Sequence, residues 1–222
     1  NNGTATPFDG VAGQNISPDA AATKALAVAD LDHDGLLDIV VGNRNSPNTL
    51  YLNTGNAADP FGGAAGMEIT RESDFTEGIA VADLNNDGFV DVYAANDFEQ
   101  NRVYLNNGAG AGLDPFLGVL GQSGGPDIQG STSVALGDVD KNGSIDAVIG
   151  NAIQPNRHYR NNGGLTPFVN TETQDITTAI FQTAAIKLVD IDNDGDLDTL
   201  VGDRNGLNRI HFNDSATDDI FL

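Results

Sequence analysis

The 222-residue sequence predicts an all-β protein of the β-propeller type, built as four blades of four antiparallel strands. Three observations predict it. A phenylalanine-anchored pattern recurs throughout the chain; each recurrence holds short apolar runs bounded by turn residues; and one acidic loop returns between two of those runs every time.

The repeat is set by Phe8, Phe61, Phe116, Phe168 and Phe221, which stand 53, 55, 52 and 53 residues apart. From each of the first four to the Asn that closes its repeat (Asn53, Asn106, Asn161, Asn213) the count is always 45. All length variation falls in the link from that Asn to the next Phe, which is 8, 10, 7 and 8 residues. A segment that tolerates insertions is a surface loop tip, whereas segments of fixed length hold a packed register. The chain therefore reads as a single region over 1–222, with repeats at about 8–53, 61–106, 116–161 and 168–213 and the start of a fifth at 221–222.

Within a repeat, a first strand is expected to start at the Phe (PFDGVAG, PFGGAAG, PFLGVLG, PFVNTET). A second carries small apolar residues into the acidic loop (ALAVAD, GIAVAD, SVALGD, AIKLVD), and their small size suits a strand near a crowded axis. A third leaves the loop (DIVVGN, DVYAAN, DAVIGN, DTLVGD), and a fourth ends at the Asn (TLYLN, RVYLN, RHYRN, RIHFN). Sustained 3.6-residue periodicity is lacking, which excludes an α-solenoid, and a β-solenoid needs a shorter period.

The loop reads D-x-[DN]-x-[DN]-G-x-x-D. Oxygen side chains at alternate positions converge only where the chain curls around a point, and the glycine permits that curl. The first loop offers Asp30, Asp32, Asp34 and Asp38 with the carbonyl of Leu36, and the second Asp83, Asn85, Asp87 and Asp91 with the carbonyl of Phe89. The third offers Asp138, Asp140, Asn142 and Asp146 with the carbonyl of Ser144, and the fourth Asp190, Asp192, Asp194 and Asp198 with the carbonyl of Asp196. A donor set of oxygen alone suits a hard cation, and calcium, with about six to eight oxygens at flexible geometry, suits it better than the small octahedron of magnesium. Four Ca²⁺ sites are expected. An EF-hand would need a Glu at the twelfth position and long flanking helices, and neither is present.

The net charge is −22, from 32 acidic and 10 basic residues, and 14 of those acids are side-chain ligands in the four loops. Even four bound Ca²⁺ would leave −14, which excludes nucleic acid and anionic membrane as partners. There is no run long enough to span a bilayer, no signal peptide and no initiator Met, so the chain reads as a processed or excised product. With no Cys, metal rather than disulfide is the expected staple.

The four loops, together with Val41-Gly42-Asn43, Ile149-Gly150-Asn151, and Asn-Arg-x-Tyr-x-Asn-Asn-Gly at 101–108 and again at 156–163, resemble FG-GAP/VCBS repeats. The resemblance covers essentially the whole chain. It implies blades of the kind found in integrin-α propellers and many secreted bacterial proteins, with Ca²⁺ in the loops. That family usually closes seven or eight blades, so four blades make either a four-bladed ring or half of an eight-bladed or longer assembly. Asn1-Asn2-Gly3 through Phe8 matches Asn161-Asn162-Gly163 through Phe168, so one Phe segment is spare for pairing with a neighbour.

The expected function is a secreted or cell-surface, calcium-binding structural, adhesion or self-assembly module, acting through a protein partner or through self-association as a dimer or head-to-tail array. A carbohydrate-binding propeller is the first alternative, although aromatics make up only 6% of the chain. A polysaccharide lyase or related enzyme is the second, but no catalytic constellation is visible and every dense acid cluster is claimed by the loops. Among other residues, His33 is expected to point into solvent, and His158 and His211 to pack within the last strand. Arg102, Arg157 and Arg209 are expected to make a repeated ion pair or edge contact. Asn43, Asn96, Asn151 and Asp203 are read as exposed turn formers rather than sugar ligands.

Overall fold

Each acidic loop joins two antiparallel strands, as the apolar runs on either side of it predict. The computed structural model describes residues 12–69, 71–180 and 182–214, and all of its regular structure is β. The loop-flanking pairs are β1 (Ala22–Ala29) with β2 (Asp38–Arg44), β5 (Thr76–Ala82) with β6 (Asp91–Tyr104), β7 (Gln122–Gly137) with β8 (Asp146–Asn151), and β11 (Thr183–Val189) with β12 (Asp198–Asp203). In every pair the last Asp of the loop lies opposite the residue that precedes its first Asp: Ala29↔Asp38, Ala82↔Asp91, Gly137↔Asp146 and Val189↔Asp198. An irregularity recurs at the far end of each pair, at Thr23/Ala25, Thr76/Gly78, Ser131/Ser133 and Thr183/Ala185.

The short strands that complete the sheets are β3 (Thr49–Tyr51), β4 (Met67–Glu68), β9 (Arg157–Tyr159), β10 (Thr173–Asp175) and β13 (Arg209–His211). Here the structure corrects the expected strand order. The Phe61, Phe116 and Phe168 segments are turns, and the strand that follows each pairs with the strand before it, as Leu50↔Met67, Val103↔Gln122 and His158↔Gln174 show. The strand expected to open a repeat is thus the outer strand of the preceding unit. The first Phe segment, around Phe8, and the last, at Phe221, lie outside the described residues.

The second correction concerns sheet number. Among the described residues the strands form three sheets, ordered β1-β2-β3-β4, β10-β9-β8-β7-β6-β5 and β11-β12-β13, which are not joined into a closed ring. The middle sheet holds two repeat units because β7, 16 residues long, starts as the outer strand of the second unit and continues without a break as the inner strand of the third.

Successive units pack through shared cores. Leu31, Val40 and Leu50 of the first unit meet Ile79, Val92, Ala94 and Tyr104 of the second, with Phe116 plugging the join. Phe168 plugs the next join in the same way, its ring edge-on to Tyr93 at 5.5 Å. Phe116 and Phe168 are therefore core residues, whereas Phe61 is half-buried. The link that varies in length is closed at its neck at each described site, by Thr54 N–H to Pro60 O, Asn107 N–H to Pro115 O and Asn162 N–H to Pro167 O. Units approach most closely at small residues: a Cβ added to Gly42 would lie 2.6 Å from Ile79 Cγ1, and one added to Gly150 2.6 Å from Thr183 Cγ2.

Candidate metal centres

The four loops share one backbone shape. The fourth residue of each is left-handed (His33, Asn86, Lys141 and Asn193, φ 59°, 60°, 56° and 63°), as is the sixth, always glycine (Gly35, Gly88, Gly143 and Gly195, φ 88°, 90°, 87° and 91°). The fourth residue's φ of 56–63° falls in the small left-handed region open to residues with a Cβ, whereas 87–91° lies beyond it, which is why the sixth position is glycine. The curl turns backbone N–H groups onto the acids. Gly35, Gly88, Gly143 and Gly195 donate to Oδ2 of Asp30, Asp83, Asp138 and Asp190 at 2.9, 2.8, 3.0 and 3.1 Å. The fifth residue accepts from the seventh in every loop: Leu36 N–H to Asp34, Phe89 to Asp87, Ser144 to Asn142 and Asp196 to Asp194.

The ninth-position acids Asp38, Asp91, Asp146 and Asp198 are fully buried, and each is held at both oxygens. One oxygen accepts the N–H of the second loop residue, at Leu31, Leu84, Val139 and Ile191. The other accepts the N–H of the repeat-closing Asn, at Asn53, Asn106, Asn161 and Asn213. Burial pushes the carboxyl of Asp38 above its ordinary range and that of Asp91 up to about 6, against the downward pull of those N–H bonds.

Carboxylate oxygens converge within 4.8 Å of one another at Asp30, Asp32 and Asp38, at Asp138, Asp140 and Asp146, and at Asp190, Asp192 and Asp194. Asp34 and Asp198 stand outside these triads. Among the described residues the second loop forms no such triad, because Asn85 takes the third position and donates Nδ2 to Asp87 at 2.9 Å. Asn142 likewise donates to Asp140, so ligation by either amide requires it to turn its oxygen inward. The donor set fits a hard cation. It is oxygen only, and Oδ1 of Asp190 is buried without a hydrogen-bond donor, a costly arrangement that a cation in the loop would relieve.

A family model described as an FG-GAP-like repeat matches residues 30–94, 83–149 and 138–201. The chain belongs to this family. Each FG-GAP-like match begins at the first Asp of a loop (Asp30, Asp83, Asp138) and ends in the strand after the next loop. Among curated proteins the chain is similar to Cartilage acidic protein 1 of Xenopus tropicalis, 34% identical over 134 residues, covering 57% of this chain and 20% of that protein. It is also similar to Cartilage acidic protein 1 of Mus musculus, 28% identical over 176 residues, covering 75% and 27%. The matched part thus spans a fifth to about a quarter of these relatives.

The FG-GAP-like loops also touch one another, which spacing alone did not reveal. The His33 ring is exposed, as expected, and also lies 4.7 Å from that of Phe89 in the next loop. Asn86 Nδ2 reaches Gly143 O at 3.5 Å, and Lys141 pairs with Asp196. The strongest ties run through the repeat-closing asparagines. Asn106 Nδ2 donates both to Val90 O of its own loop and to Leu31 O of the preceding one. Asn161 does the same to Ile145 and Leu84, and Asn213 to Leu197 and Val139.

Several other expectations are resolved. His158 is buried as expected, but its Nε2 also lies 3.2 Å from Asp146 Oδ2. Arg102 pairs with Asp74, and Arg157 with Asp127 and Asp175, while Arg209 reaches Leu207 O. Asn43, Asn96 and Asn151 are turn formers but buried ones, each bonding the carbonyl four residues on, which leaves no amide for a sugar.

Proposed function

We propose that this chain is a calcium-stabilised, propeller-like repeat module that presents a rigid surface for protein–protein contact outside the cell and has no catalytic role. The observation that carries the reading is the double tie of Asn106, Asn161 and Asn213, which fastens each loop to the loop before it. A cation gathered by Asp30, Asp32 and Asp38, or by the corresponding groups of the other loops, would remove carboxylate repulsion where the strands of a unit and the neighbouring unit meet. Asp38, Asp91, Asp146 and Asp198 would then serve twice, through oxygens offered to the ion and through the N–H groups they hold.

Two further facts support the reading. Repeat arrays present extended surfaces for partners, and FG-GAP-like repeats make up most of this chain. The relatives are named for cartilage and for acidity, and the net charge of −22 matches the second property. Extracellular calcium modules bind with dissociation constants of roughly 10⁻⁴–10⁻³ M, the range in which exposed loops of this kind would be expected to work. Thermal unfolding in calcium, in magnesium and in excess chelator tests the proposal. The melting temperature should fall on chelation and recover with calcium far better than with magnesium. An unchanged transition after verified metal removal would refute it.

A further inference from the structure

We infer that the glycine-rich link of the second unit is a cover for the cation site of the first loop, and that it makes this site slower to exchange its ion and more selective for calcium over magnesium than the loop is alone. The cover rests on the calcium reading proposed above, and it lies outside all four loops.

This link is the longest of those that vary in length. It reads Asn-Asn-Gly-Ala-Gly-Ala-Gly-Leu-Asp-Pro-Phe from Asn106 to Phe116, whereas the third reads Asn-Asn-Gly-Gly-Leu-Thr-Pro-Phe from Asn161 to Phe168. Without Ala109, Gly110 and Ala111 the two would differ only at Asp114 against Thr166. Their structures match on both sides of the added residues. Asn107 N–H closes the second link on Pro115 O at 2.9 Å, and Asn162 N–H closes the third on Pro167 O at 2.8 Å. Gly108 and Gly163 each donate to Oδ1 of the repeat-closing Asn, and Gly112 and Gly164 share a left-handed backbone at φ 73° and 70°. What differs is the reach of the tip. Gly112 N–H donates to Oδ2 of Asp32 in the first loop at 2.6 Å, across 80 residues of sequence. Among the described residues Gly164, in the shorter link, makes no such bond to the second loop.

Asp32 is one of the three acids whose oxygens converge in the first loop, and it is only 2% exposed. The second unit also holds the residues on either side of it: Asn106 Nδ2 bonds Leu31 O at 2.8 Å, and the Phe89 ring lies against that of His33. In the second loop Asn85 takes the place of Asp32 and is half-buried, and the bonds from the third unit go to its neighbours, from Asn161 to Leu84 O and from Asn86 to Gly143 O. The contact on Asp32 does two things. Its Oδ1 already accepts the N–H of Asp34, so the link fixes the second oxygen and with it the direction in which the carboxylate offers its remaining lone pairs to an ion. The link also takes space that water would fill above the site. Magnesium gives up its waters reluctantly, whereas calcium accepts protein oxygens in their place, so a covered loop discriminates between them more sharply than an open one.

Stopped-flow release of calcium into excess fluorescent chelator tests the cover, with the intact chain and with a variant lacking residues 109–111. That deletion leaves a link the chain already uses after Asn161, and it removes none of the loop acids. The parent should release one ion per chain in a slow phase that Asp30→Asn abolishes. In the deletion variant this phase should quicken at least several-fold while the others keep their rates, and magnesium should compete several-fold better for that one ion. Amide hydrogen exchange on the parent gives a second measurement that needs no variant: calcium should protect the Gly112 amide, and should protect it more than that of Gly164. A slow phase that the deletion leaves unchanged, or a Gly112 amide that exchanges alike in calcium and in chelator, overturns the inference while leaving calcium binding intact. A chain that takes up no calcium overturns the underlying reading instead.

Discussion

Replacing Asn161 by Ala isolates the tie between successive loops, because the backbone N–H that Asn161 gives to Asp146 survives the substitution. What is lost is three side-chain bonds: Nδ2 to Leu84 O at 2.8 Å, Nδ2 to Ile145 O at 2.8 Å, and Gly163 N–H to Oδ1 at 2.6 Å. At a net ~0.5–1.5 kcal/mol each, with buried groups left unpaired, the loss is about 2–4 kcal/mol. Asn213 makes the corresponding bonds at 2.9 and 3.4 Å, and its Oδ1 is without a partner, so Asn213→Ala should cost only about 1–2 kcal/mol. Among the described residues Asn53 bonds only its own loop and Gly55, at exposed positions, so its loss should cost less than ~1 kcal/mol. Denaturant unfolding in saturating calcium measures the series. A kcal/mol shifts the melting temperature of a chain this size by about 2–4 °C, so Asn161→Ala should melt roughly 5–10 °C lower. If Asn53→Ala costs as much as Asn161→Ala, the bonds between units are not the source of the stability.

Two further outcomes follow from packing and charge. Gly42→Ala should destabilise by about 1–3 kcal/mol, because the new methyl meets Ile79 and Thr76, whereas Gly202→Ala should be close to neutral; equal effects in a thermal melt would contradict the packing described. In excess chelator the buried Asp91, raised to about 6 from 3.8, takes up a proton in the folded chain at higher pH than in the unfolded chain. Its contribution is then fully present below about 3.8 and lost as pH rises through about 6, so the chelated protein should gain stability on acidification from neutral pH and Asp91→Asn should flatten that gain; a variant with the parent's pH profile would refute the assignment.

The loops and the strands beside them were legible because their chemistry is local. A glycine between alternating acids and a short apolar run on each side fix a curl and two strands with no knowledge of what surrounds them. The allocation of strands to units was not legible. In a tandem array the segment after Phe61 is flanked in sequence by the strands of two units, and spacing does not say which of them it joins; pairing of Met67 with Leu50 decides it. The continuous β7 arose for a related reason, since residues 128–130 pair with 97–100 and leave no break between outer and inner strand. The asparagine ties were visible only as a period. That Asn106 reaches a carbonyl 75 residues away depends on how units stack, and stacking is absent from the local pattern. The same holds for Phe116 and Phe168, which marked the repeat in the sequence and fill the joins in the structure.

The central claim is that the four loops are calcium sites joined by the fold. Calorimetric titration of chelator-stripped protein with calcium, paired with metal analysis of the loaded chain, tests it most directly. The account predicts four calcium ions per chain, one for each loop from Asp30, Asp83, Asp138 and Asp190, with magnesium a poor competitor. A chain that takes up no calcium, or that binds magnesium equally well, would contradict it.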